Sequence, residues 1–261
     1  MKRTWLWYGI IFIFFIGLAG FAIGFGNAFL IGVEVTQPQP AAEVTVDTPE
    51  EPPVIQAEGD FRVVALGDSL ARGTGDSAGG FVERMVQGME ALQDNSIDLY
   101  NFSNEGMRSG QLLEQITDPL LNQALEDARY TVISIGGNDL RDIRNVPLER
   151  QDQAFEDQFS TYYENLEKIL EQIRRTNEEG VIIFLGLYNL QDDEFDERET
   201  TYLLEWSYRT QQLLTGFGNT LFIPTQDLFQ LNYDQFISFD GLHPNEEGHQ
   251  AIADRILENV R

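Results

Sequence analysis

Five short apolar runs constrain this chain more than any other feature: FRVVAL from Phe61, IDLYNFS from Ile97, YTVISI from Tyr130, VIIFLGL from Val181 and TLFIP from Thr220. A strand that alternates apolar and polar residues buries one face. Runs that are apolar nearly throughout bury both, as in a parallel sheet covered by helices on each side. Between the runs lie stretches with the three-to-four-residue apolar spacing of amphipathic helices, at residues 81–92, 111–128, 153–176, 201–214 and 245–260. The alternation predicts an α/β fold with a five-stranded parallel sheet. A chain of 261 residues, 42% of them hydrophobic, fills one core of this size, which places a single folded domain over 61–261.

Ligands of such sheets bind beyond the carboxyl ends of the strands, and polar clusters stand at those ends here. Gly67-Asp68-Ser69 follows the first strand and NFSNEG, residues 101–106, closes the second. Gly136-Gly137-Asn138-Asp139 follows the third, and Asp240-Gly241-Leu242-His243-Pro244 comes after the fifth.

These residue types suit acyl transfer. A serine hydroxyl is a poor nucleophile until a base takes its proton and a third group orients that base. The chain has only two histidines. His243 sits in a loop with Asp240 three residues before it, so a short turn brings the carboxylate to one ring nitrogen and leaves the other facing outward. His249 falls inside the predicted last helix, where a packed or solvated role is expected. The backbone N–H groups of Ser69 and Gly106 and the side-chain amide of Asn138 could supply three donors to an oxyanion. Each residue also has a plainer reading. Ser69 could cap a helix, Asn138 and Gly106 could serve turns, and Asp240 could cap the helix that follows it. Asp68 and Asp139 read as structural hydrogen-bonding residues.

Taken together, Gly67-Asp68-Ser69-Leu70, Gly106, Asn138 within GGND, and Asp240-x-x-His243 resemble the four sequence blocks of the GDSL or SGNH hydrolases, in order and across 61–261. The resemblance implies a three-layer α/β/α, flavodoxin-like fold and a Ser69 nucleophile. It also implies oxyanion donors from Ser69, Gly106 and Asn138, and a base and acid in His243 and Asp240. The chain is also similar to membrane-anchored esterases and lipases of that family from Gram-positive bacteria, in having an apolar N-terminal segment and a spacer.

Other chemistries lack residues. Gly73, Gly75 and Gly79 miss the dinucleotide spacing by one position, and no GK[ST] phosphate loop exists. With no cysteine and two histidines a zinc site is disfavoured, and the reading calls for no cofactor. The serine does not lie in GxSxG, which disfavours an α/β-hydrolase.

Residues 1–33 contain Lys2, Arg3 and no acid, and are almost wholly apolar from Thr4, long enough to span a bilayer. Length favours a retained anchor; a cleaved signal peptide, ending near the small residues Gly17 to Ala22, is the alternative. Charge placement puts the catalytic domain outside the cell, single-pass if anchored and secreted if cleaved. Residues 34–60, with five of nine prolines and seven acids, read as a spacer. Beyond Val33 the chain carries 15 basic residues against 43 acids, a net of −28, which excludes a basic face for nucleic acid. Such an acidic, lysine-poor surface suits either a high-salt habitat or an ordinary soluble surface. The stretch QDDEFDERET, residues 191–200, is expected to be an acidic loop.

The sequence thus predicts a monomeric serine esterase or lipase acting on cell-envelope esters, either lipids or O-acetylated glycans. An idle extracellular module that binds glycan in the same crevice is the alternative from another class. A carboxylate-pair glycosidase is a third, although nothing singles out two acids among 43.

Overall fold

The structure is a computed structural model and describes residues 59–188 and 197–260. The segments 1–33 and 34–60 lie outside the described residues except for Gly59 and Asp60. Among the described residues no helix is long and apolar enough to cross a membrane.

The strands are β1 (Phe61–Gly67), β2 (Ile97–Asn101), β3 (Ala128–Ser134), β4 (Val181–Leu185) and β5 (Thr220–Ile223). All pair in parallel, in the order β2-β1-β3-β4-β5, with Ala65 beside Asn101, Gly67 beside Ser134, Ile133 beside Phe184 and Leu185 beside Ile223. The sheet therefore reverses its strand order between β1 and β3, the point where crossovers leave to opposite faces and a crevice opens at the carboxyl ends.

The helices are α1 (Ser69–Arg72), α2 (Gly80–Gln93), α3 (Ser109–Gln115), α4 (Pro119–Glu126), α5 (Gly137–Arg141), α6 (Gln151–Thr176), α7 (Glu197–Leu214), α8 (Gln226–Phe236) and α9 (Glu246–Asn259). Alternate residues of the central strands feed two cores. Val64, Leu66, Ile133, Ile182 and Phe184 pack against α3, α4, α6 and α7. Val63, Ala65, Val132, Ile183 and Leu185 pack against α1, α2, α8 and α9. This gives the three-layer α/β/α fold with a five-stranded parallel sheet that the apolar runs predict.

Local chemistry sets the helix ends. Asp118 caps α4 through the Leu120 and Leu121 amides, with Pro119 in the first turn where its missing N–H costs nothing. Along α6, buried Phe155, Phe159, Tyr162, Leu166, Ile169 and Ile173 recur every three or four residues, which selects its inner face. On that face Phe155, Phe159 and Tyr162 surround Trp206 of α7, with ring centroids 4.6–6.1 Å away.

Three differences from the sequence reading matter. The elements α1 and α5 form single turns directly after β1 and β3. Helix α8 stands between β5 and the Asp240 loop, so that loop does not leave the strand directly; a non-helical Asn232 interrupts its periodicity. Helix α7 begins at Glu197, so the end of the expected acidic loop is helical, while 189–196 lie outside the described residues.

Candidate active site

Ser69 is the first residue of α1, immediately beyond β1. It does not cap that turn: Asp68 does, its Oδ1 accepting from Leu70 N–H at 3.1 Å and from the Ser134 hydroxyl at 3.2 Å. Ser69 is thus freed for another partner, and His243 Nε2 lies 2.8 Å from its Oγ although the two are 174 residues apart. His243 Nδ1 lies 2.7 Å from Asp240 Oδ2.

Asp240 is not a helix cap either, since Asn245 caps α9 through Gly248 N–H at 3.0 Å. Its Oδ1 accepts instead from the Ser238 hydroxyl at 2.7 Å, Leu242 N–H at 2.9 Å and His243 N–H at 3.0 Å, which folds its own loop into a turn. Partial burial pushes this carboxyl up. The bonds from His243, Ser238 and the two backbone amides outweigh that effect and hold it well below the usual carboxylate range. Asp240 therefore stays an acceptor facing Nδ1, and the imidazole keeps its Nδ1 proton with Nε2 open toward Ser69.

Asn138, in the first turn of α5, lines the same cleft as Ser69 and His243. Its Nδ2 donates to Met107 O at 3.0 Å and its Oδ1 accepts from Arg141 at 3.2 Å. The two partners have opposite hydrogen-bonding roles, so only one orientation of the amide satisfies both. Beneath it, buried Asp139 accepts from the Ser109 N–H at 3.1 Å and hydroxyl at 2.6 Å, and Asn165 donates to that hydroxyl at 3.0 Å. This network ties α5 to α3 and α6. Burial raises the Asp139 carboxyl and the Ser109 bonds oppose it.

Gly106 lies next to Met107 in the loop after β2, which Asn104 N–H anchors to Gly67 O at 2.9 Å. Its φ of +68° is left-handed, and a Cβ there would meet no atom within 4 Å. The backbone conformation, rather than crowding, requires glycine at this position. Gly106 does not line the cleft itself.

Asp68 also borders the cleft. Burial pushes its carboxyl up to about 7, against the lowering effect of the bonds from Leu70 and Ser134.

The cleft beside Ser69 has a volume of about 140 Å³, and apolar side chains such as Leu140, Ile143, Leu187, Tyr202 and Leu203 make up much of its wall. Glu199, from the acidic stretch, also reaches it and is paired with Arg144 at 2.9 Å. Sequence reasoning missed this wall because its residues come from α5 and the turn after it, α7 and the loop after β4, and no local spacing links them. Arg141 was findable, since it lies one helical turn from Asn138, once GGND is read as a helix start. Among the described residues, no group of three His, Asp or Glu side chains is placed to hold a metal ion.

The chain is 29% identical over 206 residues to the uncharacterized protein YpmR of Bacillus subtilis strain 168, covering 76% of this chain and 81% of that protein. It is 26% identical over 206 residues to the spore germination lipase LipC of Bacillus licheniformis, covering 75% and 94%. Its fold is similar to that of the lipase Lip_vut3 from a goat rumen metagenome, with a TM-score of 0.67 at 23% identity over 77% of this chain and 97% of that one. It is also similar to the psychrotrophic esterase EstA of a Pseudoalteromonas species, at 0.56, 20%, 77% and 97%. The signature of the GDSL-like Lipase/Acylhydrolase family matches residues 65–251, most of the chain. The chain therefore belongs to the GDSL-like lipase/acylhydrolase family and is a carboxylic ester hydrolase.

Proposed function

We propose that the chain hydrolyses envelope esters through Ser69, His243 and Asp240. The relay of 2.7 Å from Asp240 to His243 and 2.8 Å from His243 to Ser69 carries this reading. In the first half-reaction His243 Nε2 takes the Ser69 proton while Oγ attacks the ester carbonyl carbon. The tetrahedral oxyanion is held by the N–H of Ser69 and the free amide hydrogen of Asn138, both in the cleft, while the N–H of Gly106, which does not line the cleft, is assigned as the third donor on the family resemblance alone. The imidazolium returns its proton to the leaving alcohol, and the acyl group remains on Ser69. Water, deprotonated by the same nitrogen, then attacks the acyl-enzyme, releasing the acid and restoring the Ser69 hydroxyl. Asp240 orients the ring and stabilises its cation without taking the proton.

The apolar wall of the cleft supports an acyl chain as the group bound there, and the relative named as a spore germination lipase supports lipid esters over acetylated glycans. The apolar residues 4–33 would anchor the chain in the membrane, with 34–60 as spacer and 61–261 as a monomeric extracellular domain beside envelope substrates. The test is hydrolysis of p-nitrophenyl acetate, butyrate and octanoate by the purified full-length chain and its Ser69→Ala variant. Turnover is expected to vanish in the variant, and rates are expected to favour butyrate and octanoate over acetate. Turnover that survives Ser69→Ala would refute the assignment.

A further inference from the structure

The second histidine is not a bystander to the first. His249 is wholly buried on α9, six residues after His243. Its ring stacks on Phe81, with centroids 6.2 Å apart and planes within 7°. Both ring nitrogens meet backbone groups whose roles are fixed. Phe81 N–H can only donate, so Nδ1, at 3.0 Å, carries no proton. Thr74 O can only accept, so Nε2, also at 3.0 Å, carries one. The geometry alone therefore specifies the neutral ring in a single tautomer.

Of the two groups it holds, Thr74 belongs to the segment between Ser69 and α2, and Phe81 to the first turn of α2. Thr74 N–H donates to Ser69 O at 3.0 Å. At Gly75, with φ of +99°, the backbone presses on the base loop: a Cβ there would lie 2.1 Å from Pro244 O and 3.4 Å from His243 Cβ. Residues 74 and 75 thus bond to the nucleophile's residue on one side and lie close against the loop of the base on the other. Arg84 grips Asp76 at 2.5 and 2.9 Å, and Ser77 donates to Glu246 at 2.6 Å. His249 is the buried tie beneath them.

We propose that His249 is a positioning residue: by pinning Thr74 and Phe81 to α9, it fixes the separation of Ser69 and His243. The inference rests on the assignment of those two residues as nucleophile and base. Proton transfer between them needs hydrogen-bond contact, and a misplacement of 1 Å can cost about 10²-fold in rate. The titratable groups that act on the ring are Asp76 of the segment before α2, Arg84 of α2 and His243 of the loop before α9. Burial lowers the basicity of His249, the bond to Thr74 opposing, so the neutral form persists into acid where an ordinary histidine is charged.

The test uses the full-length chain and His249→Phe, which keeps a ring against Phe81 and removes both hydrogen bonds. Functional sites are counted by stoichiometric inactivation with a p-nitrophenyl alkylphosphonate, and kcat is expressed per titrated site. The expected result is a fall of about tenfold or more in kcat per site with KM changed less than about threefold. A merely structural role would lower the number of titratable sites and leave kcat per site intact, and that result would overturn the proposal. Because the chain has two histidines, imidazole nitrogen NMR of the wild-type protein gives a second measurement, independent of whether the variant folds. His249 is expected to show the Nε2–H tautomer at pH 8, with Nδ1 accepting from Phe81 N–H. An Nδ1–H tautomer would overturn the proposal. Ser69→Ala assayed alongside separates the two failures: if it is inactive while His249→Phe is fully active, only the positioning role falls.

Discussion

Replacing Asp240 by Asn changes one hydrogen-bonding role in the relay and little else. The carboxylate accepts four bonds, three through Oδ1 from Ser238, Leu242 and His243 N–H, and one through Oδ2 from the His243 ring. An asparagine keeps the Oδ1 contacts, so the turn and the position of His243 persist. It presents an NH₂ to Nδ1, however, which drives the imidazole to the tautomer with its proton on Nε2, facing Ser69, where it cannot accept the hydroxyl proton. In a buried triad the same exchange costs about 10⁴-fold in kcat. Here the Asp240 side chain is 36% exposed. Water can therefore offer Nδ1–H an alternative acceptor, and the expected loss is about 10²- to 10³-fold, or roughly 2.7–4 kcal/mol at 1.36 kcal/mol per decade. The assay is p-nitrophenyl butyrate hydrolysis at pH 8 by the full-length chain, with circular dichroism to verify that the variant is folded at the assay temperature. A loss smaller than about tenfold in a folded variant would refute the tautomer argument. The sign of the pH effect follows from the same bonds. A carboxyl depressed in the folded chain contributes its stabilisation above its unfolded value near 4 and loses it only as pH falls toward the lower folded value. Asp240 is therefore ionised throughout pH 4–8, and any loss of wild-type activity across that range belongs to another group.

Two further outcomes are expected. Asn138→Ala should lower kcat about 10²- to 10³-fold with little change in KM, as measured by steady-state kinetics, because the amide meets charge that develops only in the transition state. Asp68→Asn should stabilise the chain at pH 8 and much less at pH 4: the carboxyl rises from 3.8 to about 7 on folding, so its burial costs nothing below pH 4, costs progressively more up to about 7, and then levels off near 4 kcal/mol at about 1.36 kcal/mol per pH unit. Chemical denaturation at the two pH values reads the difference, and equal stabilisation at both would contradict the raised value.

The sequence by itself determined the class of the fold, because residues buried on both faces of a strand must be apolar in succession, and Val63 to Leu66, Val132 to Ile133 and Ile182 to Leu185 are. It also contained the Asp240–His243 pair, since a turn of three residues closes that contact locally. Strand order and everything that depends on it came only from the tertiary structure. Ser69 and His243 meet across 174 residues because β1 and the end of α8 are brought to one sheet edge. The short turns α1 and α5 have too few residues to show a period, and α8 hides its own behind Asn232. His249 illustrates the division most clearly. Its place on a helix was legible, but a ring whose two nitrogens are set by Phe81 and Thr74, some 170 residues earlier, acquires its tautomer only when packing has assembled both partners.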